Sequence, residues 1–167
     1  NRALNGTMVR NWLQAPLFTN RSVDQALQGY PVTTPSLTFA DRLNGMIAPM
    51  ETIVYFMEQL PRFSVLEHLD LSGNVIGLTG PQGTERLSES LQYLTGLQSL
   101  DLSGNAIGYT GPQGIERLSE SLRYLTGLQS LDLSRNSIGW FGPQGTEALA
   151  HGLSHLLNHS QQLHSVN

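Results

Sequence analysis

Residues 66–96, 97–127 and 128–158 are three successive versions of one 31-residue pattern: L-x-x-L-x-L-x-x-N-x-I-G, then x-x-G-P-Q-G, then a leucine-bearing run. The first two differ only at Glu67/Gln98, His68/Ser99, Val75/Ala106, Leu78/Tyr109, Thr84/Ile115 and Gln92/Arg123. A fixed period of this length constrains the fold more than any local propensity. Each unit is one supersecondary element that hides its apolar face only against a copy of itself.

Within a unit two periodicities follow each other. Leu66, Leu69 and Leu71, with Leu97, Leu100, Leu102 and Leu128, Leu131, Leu133, place apolar groups where a short strand buries one face. Leu87, Leu91 and Leu94, with Leu118, Leu122, Leu125 and Leu149, Leu153, Leu156, recur at helical spacing. Each unit therefore reads strand, loop, helix. Copies stacked in register form a parallel sheet with strands ~4.8 Å apart. The expected class is an α/β solenoid.

Invariant residues in the connecting loop have structural explanations. Asn74, Asn105 and Asn136 stand where the strand turns away and backbone groups lose their ladder partners; an amide that donates and accepts satisfies neighbouring turns. Gly77, Gly80 and Gly83 with their copies permit tight backbone, and Pro81, Pro112 and Pro143 suit a helix start.

On these residues, 66–167 resemble leucine-rich repeats of the ribonuclease-inhibitor-like class, with LxxLxLxxNxI followed by a full helix. The resemblance implies a curved solenoid, strands on the concave face and helices on the convex one, used to bind proteins. The 31-residue period is slightly long for that class, and GPQG in the rising loop departs from it.

The organisation expected is 1–65 as an N-terminal helical and irregular cap segment with a degenerate repeat, then repeats 66–96, 97–127, 128–162 and a partial 163–167. In the cap, Ile53, Phe56, Leu60 and Phe63 fall one period before Thr84, Leu87, Leu91 and Leu94, giving a helix over 49–60 that starts at Pro49. Ser22 or Asn20 is expected to cap a short helix through Leu27, and Ser36 another through Leu43, with GYPVTTP as linker. At the far end Leu163 aligns with Leu128 after four inserted residues, so QQLHSVN starts a further strand with an open edge. The absent initiator Met is expected of a processed or excised chain.

Composition narrows function. A net charge of -4 and nine scattered basic residues give no footprint for nucleic acid or anionic lipid, and weakly favour a basic partner. No apolar run reaches membrane-spanning length. Cysteine is absent, which removes disulfides, thiolate metal sites and a cysteine-dependent ligase. All basic residues are Arg; the lack of Lys reflects either genome composition or selection against ubiquitin attachment inside a eukaryotic cell. Three glycosylation tripeptides, at Asn5, Asn20 and Asn158, point instead to secretion, so localisation stays open between secretion, delivery into a host cell and cytoplasm.

No catalytic motif is present, and no cofactor or metal is expected. His151, His155 and His159 sit four apart, but opposite the core leucines of their helix and without a carboxylate at ligand spacing, as on a solvated face.

The positions free of core duty are the candidate partner-binding residues. On the strands these are Glu67, His68 and Asp70, then Gln98, Ser99 and Asp101, then Gln129, Ser130 and Asp132. The Asp column favours a cation or an Arg-bearing partner. On the rising loops Leu78, Tyr109 and Trp140 form a column, with Phe141 beside the last. Large apolar groups that the core does not require are enriched at interface hot spots; the competing role for Trp140 and Phe141 is to fold over the last repeat.

The expected function is a non-enzymatic protein-interaction module using the concave strands and loop rim. The alternatives are a structural protein assembling end to end into filaments or oligomers, and a targeting or regulatory part of a larger secreted effector.

Overall fold

The computed structural model describes residues 19–43, 50–159 and 163–167. Five short strands, β1 (Ser36–Thr38), β2 (His68–Asp70), β3 (Ser99–Asp101), β4 (Ser130–Asp132) and β5 (Ser165–Val166), form one parallel sheet in chain order. Among the described residues five α-helices accompany them: α1 (Asn20–Gln28), α2 (Met50–Gln59), α3 (Pro81–Leu91), α4 (Gly111–Leu122) and α5 (Pro143–His159). Each helix packs on the next, so strand, turn and helix layers stack in sequence order.

The register is that of repeats aligned residue for residue. Leu69, Leu100 and Leu131 are mutual neighbours across β2, β3 and β4, as are Asp70, Asp101 and Asp132. The leucines at these strand positions and those of α3 and α4 are buried in one continuous core. Full burial of one such side chain contributes ~1.5–3 kcal/mol, which is why every layer must supply it.

Two corrections concern the N-terminal segment. Residues 36–43 are not a helix: Ser36–Thr38 is strand β1, paired with β2 through Leu37 against Leu69. Ser-Leu-Thr-Phe alternates exposed and buried, with Leu37 and Phe39 inside. β1 and β2 are offset by 32 residues, not 31, which hid this strand from the repeat frame. The cap of α1 is neither Ser22 nor Asn20 but Thr19, whose hydroxyl accepts from the Ser22 backbone N–H at 3.1 Å while Ser22 returns a bond to the Thr19 N–H.

Helix α2 was expected from Pro49, which lies outside the described residues; Ile53, Phe56, Leu60 and Phe63 are buried as anticipated. Phe39 meets Phe56 edge-on with ring centroids 4.7 Å apart, so aromatic rings replace leucines in this first layer.

At the other end α5 has 17 residues against 11 and 12 in α3 and α4. Its additional length lies at its C-terminal end, from Ser154 to His159, past the equivalent of Leu122. β5 then pairs with β4 at Ser165 opposite Ser130. In this last layer Leu149 and Leu153 are only partly buried, whereas Leu87, Leu91, Leu118 and Leu122 are fully buried.

Side-chain amides tie the layers together behind the strands. Asn105 donates to the Leu71 and Leu102 carbonyls and accepts from the Asn74 N–H at 3.2 Å. Asn136 repeats the pattern, accepting from Asn105 and Ile107 and donating to Leu102 and Leu133. All three asparagines are buried, so each bond replaces water that the turn has lost.

Candidate functional site: the strand face and the turn rim

The odd and even positions of each strand divide between core and solvent, which sets the concave face. Glu67 and His68 are exposed, while Asp70, Gln98, Ser99, Asp101, Gln129, Ser130 and Asp132 are half-buried beside buried leucines. β1 extends this face with Ser36 and Thr38, two residues the sequence reading missed, and β5 with Ser165.

The Asp column is partly engaged by its own turns. One carboxylate oxygen of Asp70 accepts from the Ser72 N–H at 2.9 Å and from its hydroxyl at 2.7 Å; Asp101 accepts from Ser103 at 2.9 Å and Asp132 from Ser134 at 2.8 Å. The Ser134 backbone and hydroxyl, with Asn167 and Arg135, hold the Asp132 carboxyl below its ordinary pKa. The three ion pairs among the described residues, Arg86–Glu58, Arg86–Glu89 and Arg117–Glu85, all lie on the helical side. No described basic side chain forms an ion pair with the Asp column.

The rim is built by three equivalent tight turns. Leu78, Tyr109 and Trp140 donate their backbone N–H groups to Val75, Ala106 and Ser137, and the turns nest through Gly77 N–H to Asn105 and Gly108 N–H to Asn136 at 2.8 and 2.7 Å. Glycine is needed there: a Cβ on Gly77 would stand 2.1 Å from the Ala106 carbonyl oxygen, and one on Gly108 would stand 1.9 Å from that of Ser137.

Nesting brings the variable residues into a row. The Tyr109 and Trp140 rings lie 5.3 Å apart between centroids, inclined by 32°. Leu78, Tyr109, Trp140 and Phe141 are 52, 42, 65 and 54% exposed. More than half of the Trp140 and Phe141 surface thus faces solvent.

A second aromatic row, not singled out from sequence, lies where the helices end: Tyr93 and Tyr124 are exposed one layer apart. Next in that row is His155, half-buried beside Arg123, Tyr124 and Glu120, and so not on a fully solvated face; His151 is exposed. No group of three or more His, Asp or Glu among the described residues is arranged to hold a metal ion. No described helix is long and apolar enough to cross a membrane.

Stacked strand–turn–helix layers with a shared leucine core and an asparagine ladder define a solenoid repeat protein. Residues 64–80 and 93–115 match one leucine-rich repeat family and 127–149 match a second. Over these residues the chain carries leucine-rich repeats. No curated protein matches it. Leucine-rich repeats are commonly protein-interaction modules and are generally not enzymes.

Proposed function

We propose that this protein is a non-enzymatic binding module that receives a protein partner on its concave strands and along the turn rim. The observation that carries the reading is the Tyr109–Trp140 pair, two large rings in mutual contact, solvent-exposed, at positions the core does not use. A rigid stack of layers presents this surface without ordering it at the moment of binding. Glu67, His68, Gln98, Ser99, Gln129 and Ser130 would set the register of the partner, and the acidic column favours a cationic group on it. Residues 1–65 would serve as the cap at the N-terminal end of the repeats.

Affinity capture with the intact chain tests the reading. Tyr109→Ala with Trp140→Ala is expected to weaken the captured complex by about 2 kcal/mol or more, roughly thirtyfold. Tyr93→Ala with Tyr124→Ala should leave it intact. Loss with the second pair and not the first would refute the reading.

A second reading, end-to-end assembly, draws on Leu157 and Val166, both exposed in the last layer, and on the short open edge of β5. Light scattering against concentration separates the two: an assembling chain grows in mass, a binding module does not.

A further inference from the structure

The three rim turns carry no ionisable charge. Residues 74–84, 105–115 and 136–146 contain no Asp, Glu, Arg or His, although Glu85, Glu116 and Glu147 follow at once. An ionic side chain pressed against this surface would be desolvated with no opposite charge to meet it. A segment that meets these turns at least cost is therefore uncharged where it touches them, although Arg135 stands just outside the third window.

The rim also offers donors. Neither the Trp140 indole N–H nor the Tyr109 hydroxyl has a hydrogen-bond partner among the described residues. Gln82, Gln113 and Gln144 are exposed in the same three windows. Apolar ring faces beside unpaired donors suit an apolar chain rich in free carbonyls. A helix keeps its carbonyls for itself, whereas polyproline II has no internal hydrogen bonds and leaves all of them outward.

Spacing favours the same conformer. Strands recur at ~4.8 Å and the Tyr109 and Trp140 rings, one layer apart, lie 5.3 Å from one another, so Leu78 and Trp140, two layers apart, stand roughly 10 Å apart. Polyproline II repeats its face every three residues at ~3.1 Å each, about 9.3 Å. An extended strand repeats its face at about 6.8 Å and falls out of step with the row.

Resting on the rim as the binding edge, we propose that the partner presents an uncharged, proline-rich segment in polyproline II conformation, laid along Leu78, Tyr109 and Trp140. Residues i and i+3 of that segment sit over Leu78 and Trp140. Tyr109 lies between them and directs its hydroxyl to a carbonyl. Such segments lose little entropy on binding because they are already extended.

The test uses the full chain carrying Trp12→Phe, which leaves Trp140 as its single tryptophan. End-capped decaproline is titrated against Trp140 emission. Support would be a saturable change whose Kd rises at least tenfold in Tyr109→Ala, moves in the same direction in the ring-preserving Tyr109→Phe, and is unaltered in Tyr124→Ala. Decaproline interrupted by Glu should bind at least tenfold more weakly.

The inference is overturned by any of three results: no saturable change up to millimolar peptide, equal affinity in Tyr109→Ala, or Trp140-dependent binding to phosphatidylcholine vesicles or cellohexaose in place of the peptide. If decaproline fails while the rim variants still abolish capture of a protein partner, only this inference falls and the rim remains the binding edge. If the rim variants leave capture intact, the broader reading fails on its own account.

Discussion

Replacing Gly108 by Ala probes whether the layers are nested as described. The added Cβ would lie 1.9 Å from the Ser137 oxygen, 2.3 Å from its carbonyl carbon and 2.8 Å from the Asn136 oxygen. All three atoms are backbone, so no rotamer change relieves the clash and the turns must separate. Separation breaks the 2.7 Å bond from Gly108 N–H to Asn136 and strains the adjacent bond from Ile107 N–H to the Asn136 side chain. A buried donor left without its acceptor costs ~1–3 kcal/mol, and overpacking adds ~1–3 kcal/mol. The expected loss is therefore about 3 kcal/mol in urea denaturation. Gly77→Ala, with the Ala106 oxygen at 2.1 Å, should cost about as much. The internal control is Gly139, the same position in the last turn, where a Cβ would meet only the Thr146 hydroxyl at 3.6 Å. Gly139→Ala should be neutral within about 0.5 kcal/mol or slightly stabilising. Equal destabilisation at all three positions, or none at Gly77 and Gly108, would refute the nested arrangement.

Asn105→Ala should destabilise by roughly 3 kcal/mol or more, because it removes the bonds donated to the Leu71, Leu102 and Ser103 carbonyls and leaves the buried Asn74 N–H without its acceptor; thermal or urea denaturation reads this directly. The pH dependence of Asp132 has a definite sign. Its carboxyl titrates lower in the folded chain than at its ordinary value, first because the Ser134 backbone N–H donates to it. Its contribution is therefore present above the ordinary carboxylate pKa and is lost as pH falls through the folded value. The stability difference between the parent and Asp132→Asn should be constant from about pH 5 to 8 and shrink below about pH 4, where unfolding is followed at matched ionic strength. A difference that grew on acidification would contradict the assignment.

What was legible in the sequence follows from what repetition can encode. The leucines of 66–158, the asparagine ladder and the rim column all recur at one spacing, and each occurrence lies beside its copy in space. Strand β1 was not legible by that route because one additional residue shifts its register to 32 and because Phe39 replaces the expected leucine. Its alternation of Leu37 and Phe39 with Ser36 and Thr38 was the available signal. The Thr19 cap was obscured by Asn20, Ser22 and Thr19 all being suitable capping residues; the reciprocal bonds of Thr19 with Ser22, three residues on, are what single it out. The row of rim residues could be read from substitution, but the contact of Tyr109 with Trp140 depends on how closely the glycines allow the turns to approach. The row of Tyr93 and Tyr124 went unremarked because both lie in the nearly invariant part of the repeat, where substitution gives no signal.

Trp140 itself offers the most direct measurement of whether the rim is where a partner sits. In the Trp12→Phe chain, its emission and acrylamide quenching can be followed as captured partner is added. A blue shift with strong protection from quencher is predicted, because a ring now 65% exposed would be buried in the complex. A complex that forms with Trp140 still red-emitting and freely quenched would contradict the account.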